Sequence, residues 1–428
     1  MTAAEILAKQ KEFLFPSVRP YYEEPLVADR GQGLHLWDKD GRRYLDFFGG
    51  ILTVSVGHAH PKVTAAVTAQ QQKLVHVSTL YPTEPQVQLA EKLVQIGPIK
   101  PAKVFFTNSG TEANETAILT AKLATGRREV IALRHSYGGR GAVALNMMGQ
   151  APWRLMESEI AGFKHAHAPY CYRCDFGLKY PDCGVRCATD IEPLIQTETS
   201  GKIAAFIAEP VMGVGGFIVP PPDYFKVAVP IIRKYGGVFI ADEVQTAWSR
   251  TGKPWGIDNY GVTPDIMTFA KGMANGQPIG ATLARADLAD ALKGLSISTF
   301  GGGPVSMAAA LATIGVIEEE RLMHNAQLLG ERLKLGLTAL AEKHRGIGDV
   351  RGLGLMQALE LVKDRGTKEP DAAGATQLLE ATRRRGLLVG KGGLFGNTMR
   401  IAPALTVNAA QVDEALALLG EALAEAAI

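Results

Sequence analysis

Four apolar runs in this chain stop at residues that can do chemistry. KVFFT runs into Asn108-Ser109-Gly110-Thr111, IAAFIAEP ends in Glu209, GGVFIADE in Asp242-Glu243, and DIMTFAKG in Lys271. A lysine at the mouth of an apolar element must be solvated, paired or put to chemical use, because an isolated buried ammonium is costly. Where Ser-Gly-Thr leads from a strand into a helix, free backbone N–H groups and the positive end of the helix dipole favour a phosphate. Ser109 or Thr111 would also serve as an ordinary helix cap. No G-K-[ST] follows, so this is not a nucleotide-binding P-loop. Asp242 alone is accounted for by a cap or an arginine partner. Asp242 and Lys271 together would project to the same rim of a sheet from separate strands, and a plain ion pair is the simplest reading of them. That reading leaves unexplained the phosphate-type turn and Tyr137, which follows another apolar run, EVIALRHSYGG.

A lysine for a Schiff base, an acid for a pyridine nitrogen, a phosphate cradle and an aromatic ring to stack are together what pyridoxal 5'-phosphate requires. A nicotinamide site would need G-x-G-x-x-G after an early strand, and the nearest candidates, GVGGF and GLGLM, fail that pattern. A non-catalytic binding protein on this framework would be marked by loss of Lys271 or Asp242, and both are present.

The elements that must hold these residues are legible as buried strands. Apolar β-branched runs without polar alternation read as strands covered on both faces, and helix-like stretches such as TEANETAILTAKLA and PDYFKVAVPIIRKYG separate them. The fold class is therefore α/β, a mostly parallel central sheet flanked by helices, with ligands expected at the carboxyl ends of the strands. From about residue 305 longer helices and short strands (GLGLMQALELV, GLLVGKGG) indicate a smaller α+β domain. The expected division is an N-terminal segment, 1–60, that joins the small domain, a large cofactor-binding domain, 61–304, and a small C-terminal domain, 305–428. An excursion from about residue 150 to 193 interrupts the strand and helix rhythm.

Composition narrows the function classes. At 428 residues, with a net charge of +2, the chain gives no reason to expect a nucleic-acid partner. No uncharged run reaches the roughly 20 residues of a membrane-spanning helix. The start, MTAAEILAKQKEF, carries a Thr2-x-x-Glu5 capping box and mixes charge into its apolar positions, unlike a signal peptide, so a cytoplasmic location is expected. All four cysteines, Cys171, Cys174, Cys183 and Cys187, fall in CYRCDFGLKYPDCGVRC. They read either as a zinc site with an unusually short central spacer or as four reduced thiols, and no metal is assigned.

The order SGTEAN, Tyr137-Gly138, AEP, IADEVQT, FAKG and STFGGGP resembles the class III, fold-type I pyridoxal-phosphate aminotransferases over nearly the whole chain. LDFFGGILTVSVGHAHPKV, IGDVRGLGLM, GLLVG and MRIAP are most similar to the alanine:glyoxylate aminotransferase type 2 subfamily. The resemblance implies transamination from an amino acid or an ω- or β-amine to a 2-oxo acid such as pyruvate or glyoxylate. It also implies a homodimer with shared active sites, or a tetramer built from it. Carried over residue by residue, Lys271 would bear the cofactor, Asp242 would hold the pyridine nitrogen protonated, Gln245 would bond the ring hydroxyl and Tyr137 would stack on the ring. Gly110 and Thr111 would bind the phosphate, with Thr299 reaching in from the neighbouring subunit. Arg400 matches the position that binds a substrate carboxylate, and Glu209 the position that can pair with that arginine.

Three departures stand out: Gly138 replaces a common His after the stacking aromatic, Trp248 brings bulk to the segment after Gln245, and the cysteine excursion could cover the entrance. Decarboxylation of dialkyl amino acids and elimination of phosphate from amino-alcohol phosphates are the alternative reactions on this fold. Ile51 stands where the decarboxylases carry a carboxylate-binding glutamine, although TKEP at 367–370 resembles them.

Overall fold

Sixteen strands fall into three sheets in a computed structural model that describes residues 1–156 and 160–428. In chain order they are β1 (Ala28–Gln32), β2 (His35–Asp38), β3 (Arg43–Asp46), β4 (Ala102–Thr107), β5 (Val130–Leu133), β6 (Phe163–Ala166), β7 (Ala205–Ala208) and β8 (Val238–Asp242). There follow β9 (Ile266–Phe269), β10 (Gly280–Arg285), β11 (Ile347–Leu353), β12 (Met356–Asp364), β13 (Glu369–Pro370), β14 (Leu387–Leu388), β15 (Gly390–Gly392) and β16 (Thr398–Ile401).

The site-bearing sheet has the order β4-β10-β9-β8-β7-β5-β6. Strands β9, β8, β7, β5 and β6 run parallel to one another, and every residue of β5, β7, β8 and β9 is buried, which is why these stretches read as unbroken apolar runs. Strand β10 is antiparallel to both β4 and β9, with Ala281 opposite Phe106 and Phe269. Its sequence, GATLAR, is built from small residues and carries little strand signal. The first residue shows why: a side chain on Gly280 would meet the Ser109 carbonyl at 2.3 Å.

The excursion at 150–193 differs from its expectation in one respect. Its three residues 157–159 lie outside the described residues, but Phe163–Ala166 within it supplies β6, which extends the central sheet beside β5. This strand lies at the sheet edge with only one of its four residues buried, so FKHA lacks the apolar run that marked the others. The cysteine-bearing part then docks on β12. Glu360, buried in that strand, accepts from Arg351 Nη1 at 2.6 Å, from Arg173 Nε at 2.5 Å and from the Tyr170 hydroxyl. Lys368 Nζ adds a bond to the Tyr172 carbonyl at 2.7 Å.

Helix α1 (Ala3–Phe13) has the capping box read from the sequence, with the Glu5 amide donating to Thr2 Oγ1 at 3.2 Å and the Thr2 amide to Glu5 at 2.7 Å. The N-terminal strands pair with the far end of the chain: β14 lies parallel to β3, with Leu387 opposite Leu45. Strands β11, β12, β16 and β15 form an antiparallel sheet. Among the described residues no helix is long and apolar enough to cross a membrane.

Candidate active site

The carboxyl ends of β5, β7, β8 and β9 converge with the start of helix α2 (Gly110–Thr125) on one cavity of about 320 Å³. Ser109, Gly110, Thr111, Tyr137, Glu209, Asp242, Gln245 and Lys271 all line it. This is the crevice that a parallel sheet offers to a ligand.

Lys271 follows β9 with a left-handed backbone, φ 43°, so the chain turns sharply as it leaves the sheet. Part of its surface faces the cavity and the rest is enclosed. Burial lowers the ammonium pKa, opposed by the charges of Asp242 and Glu209. Neither carboxylate comes within ion-pairing distance among the described residues, so the plain ion pair is not what the fold builds.

Asp242 closes β8 and is held from two sides. Its Oδ2 accepts from Asn114 Nδ2 at 2.7 Å and its Oδ1 from the Val244 amide at 3.1 Å. Asn114 is itself oriented: its Oδ1 accepts from the Thr268 hydroxyl at 2.7 Å, and its Nδ2 also donates to the Gly138 carbonyl at 3.0 Å. Burial raises the Asp242 pKa, while Asn114, Val244 and the Lys271 charge pull it back. Sequence reading missed Asn114. The available signal is its position four residues after Gly110, on the same face of α2 as the phosphate turn.

The cradle is made by absent side chains. Ser109 caps α2, with its Oγ accepting from the Glu112 amide at 3.2 Å, and the amides of the first helical turn have no partner within the helix. A side chain on Gly139 (φ 132°) would meet Thr111 Oγ1 at 2.4 Å, and one on Gly138 would meet Met147 at 2.9 Å. The latter contact explains why glycine rather than histidine follows Tyr137. Gln245 lines the cavity with its Oε1 buried and unpartnered. An anion cradle, a buried carboxylate fixed by an amide, an enclosed amine and an unpaired amide oxygen fit the phosphate, ring nitrogen, aldehyde and ring hydroxyl of pyridoxal phosphate.

Of the other expected residues, Arg400 and Thr299 do not line this cavity, whereas Glu209 does. Arg400, on β16, donates from Nη2 to the Lys391 carbonyl at 2.9 Å and lies 4.9 Å over the Phe48 ring. Among the described residues its Nε and Nη1 have no hydrogen bond of good geometry, and the Tyr21 hydroxyl lies beside the guanidinium. Glu209 accepts from the Tyr137 amide at 3.1 Å and the Gly213 amide at 2.8 Å, so it reaches Arg400 only through the field. Burial, reinforced by the charge of Asp242, pushes the Glu209 pKa up to about 8. Thr299 is exposed and does not line its own chain's cavity. Trp248 leaves the pocket alone: it packs against Trp255 at 5.1 Å and Phe269 at 5.3 Å. Trp153 does approach, edge-on to Tyr137 at 5.8 Å. Neither Ile51 nor the TKEP segment lines the cavity.

Comparison with known proteins agrees with this geometry. The family model described as aminotransferase class-III matches residues 18–423. The chain is 44% identical over 407 residues to alanine–glyoxylate aminotransferase 2 homolog 2, mitochondrial, of Arabidopsis thaliana, covering 94% of this chain and 84% of that protein. It is 36% identical over 442 residues to alanine–glyoxylate aminotransferase 2, mitochondrial, of Homo sapiens, covering 98% and 86%. Among solved structures, a thermostable (S)-enantioselective omega-transaminase from Thermomicrobium roseum superposes with a TM-score of 0.92 at 35% identity, covering 100% of this chain and 99% of that one. The chain thus belongs to the class-III aminotransferases, and is a pyridoxal-phosphate-dependent enzyme of fold type I that carries out transamination.

Proposed function

We propose that the chain moves an amino group from an amino acid or an ω- or β-amine to a 2-oxo acid such as pyruvate or glyoxylate, with Lys271 and Asp242 as its catalytic residues. The observation that carries this reading is an enclosed Lys271, with no carboxylate at ion-pairing distance among the described residues, in the field of an Asp242 that Asn114 and the Val244 amide hold in place. The relatives named for alanine and glyoxylate support the acceptor class.

When bound, pyridoxal phosphate supplies a ring that draws electrons from the substrate carbon. The protein's own work is to place charge and move a proton. Asp242 keeps a positive charge on the ring nitrogen favourable. Burial shifts the Lys271 ammonium toward giving up its proton, which suits Nζ to take one from the substrate carbon and return it. Gly110 and Thr111 hold the phosphate, Tyr137 covers one face of the ring, and Gln245 bonds the ring hydroxyl. Arg400 receives a substrate carboxylate with its Nε and Nη1. Glu209, parked on two backbone amides, leaves that guanidinium open for the carboxylate, and on losing its proton it is near enough to temper the charge when the second substrate brings none.

The working unit in this reading is a homodimer. Thr299 is exposed beside Ile297 and Phe300, which are 61% and 68% exposed, and this segment completes the phosphate site of the neighbouring subunit. The test is visible absorption of the purified holoenzyme as an amine donor is added without acceptor, followed by pyruvate or glyoxylate. The cofactor spectrum should change once, stoichiometrically, and return only with the oxo acid. Continuous release of ammonia and phosphate without acceptor would defeat the proposal.

A further inference from the structure

A second cavity, of about 570 Å³, shares no lining residue with the active site and is lined by three guanidinium groups and two imidazoles. Arg134 and His135 come from the turn after β5, His165 from β6, Arg154 and Arg173 from the excursion, and Phe395 from the loop before β16. Among the described residues Asp175 is the one carboxylate in the wall.

Its polar atoms are not used up by the fold. Among the described residues, His135 Nδ1 and Arg173 Nη2 are each buried without a hydrogen-bond partner and belong to separate segments of chain, while the His165 ring lies against the Met147 and Met148 backbone. An unsatisfied buried polar group costs about 1–3 kcal/mol. Two beside one cavity therefore make sense if a ligand brings partners to them. The remaining atoms of the wall are anchored. Arg173 Nε is tied to Glu360 at 2.5 Å, with its guanidinium 5.4 Å from the Phe395 ring centre. Arg134 Nη1 bonds His167 Nδ1 at 3.0 Å and reaches Asp175 at 3.4 Å. The His135 ring stands edge-on to Tyr170 at 5.6 Å, and the Gln150 amide bonds the His135 carbonyl at 2.8 Å. Charge, fixed geometry and unpaired polar atoms all favour one ligand class.

The geometry points to a second binding site, separate from the cofactor's phosphate cradle, for a small dianion carrying a phosphate or two carboxylates. Paired N–H donors of Arg suit either group, and the imidazoles supply further bonds. The site joins the turn that carries Tyr137, two residues beyond His135, to the loop that precedes Arg400 on β16. Occupation would thus tie the large sheet to the C-terminal sheet beside the active site.

Isothermal titration of the holoenzyme, whose cradle is filled by cofactor, tests this with inorganic phosphate and succinate as probes and chloride holding ionic strength constant. One saturable site per chain is expected for at least one of the two probes, and which one binds tells phosphate from dicarboxylate. Arg134→Ala and His165→Phe should each weaken it by at least about ten-fold while kcat and KM without the anion stay unchanged, which also shows that the variants fold. Arg400→Ala should leave it intact. Absence of saturable heat for both probes, heat that survives in both cavity variants, or heat lost only in Arg400→Ala would each overturn the assignment.

Discussion

At the scale of single residues, the pair proposed for catalysis could be named from the sequence and its support could not. Lys271 and Asp242 draw notice together, because each ends an apolar run and the two project to one rim of the sheet. Asn114 is buried in mid-helix among ordinary helix formers, and only the fold shows it bonded to Asp242, Thr268 and Gly138 at once. Arg400 was expected to meet Glu209, yet the backbone amides of Tyr137 and Gly213 claim that carboxylate, a contact that side-chain patterns do not encode. Replacing Asn114 by Ala removes a hydrogen bond to a charged group, worth about 1.5–3 kcal/mol, so kcat/KM should fall by about 10- to 150-fold in a steady-state assay with any working donor. Cofactor affinity should fall with it.

Glu243 makes a pH-dependent prediction for the cofactor-free protein. Burial outweighs its bonds to Thr246 and to the Gly256 and Ile257 amides, pushing its pKa up to about 7 from 4.5. An acid whose folded pKa is raised gives stability that is complete below its unfolded value and lost as pH climbs through the folded one. Urea denaturation of the cofactor-free form should therefore show stability declining between pH 4.5 and 7 with a slope of about one proton from this group. Glu243→Gln should remove that slope, at some cost in overall stability because one amide loses its acceptor.

Among the elements, the continuous apolar runs of β5, β7, β8 and β9 were read correctly as parallel and buried, KVFFT of β4 is instead a partly exposed edge strand beside the antiparallel β10, and two strands of another kind were missed. Strand β6 is an edge strand with polar alternation, and β10 is antiparallel and made of small residues, so neither carries the run that marks its neighbours. The smallness of β10 is a condition of the site. Gly280 lies against both the Ser109 carbonyl and Thr107 Oγ1, at 2.3 Å and 2.4 Å from where a Cβ would be, so the sheet can approach the phosphate turn only without a side chain there. Gly280→Ala should cost about 1–3 kcal/mol in thermal denaturation, and it should weaken cofactor binding as the turn is pushed away. A melting temperature and cofactor affinity equal to the parent's would show that the turn is not held by this contact.

For the whole molecule, the α/β class and the family were legible, whereas the joins between distant parts were not. The excursion is clamped to the C-terminal sheet through Glu360, which serves Arg351, Arg173 and Tyr170 together. Removing that carboxylate leaves two guanidinium groups facing each other across a buried site, so Glu360→Ala should lower stability by about 3–5 kcal/mol, seen as an earlier denaturation midpoint. The pairing of β3 with β14 has a consequence for biosynthesis. The Leu45 and Phe47 amides find their acceptors in Gly386 and Leu388, far downstream in the chain. A growing polypeptide must therefore carry an open strand edge until those residues are made, and that edge is where a chaperone would be needed and where stalled chains would stick to one another.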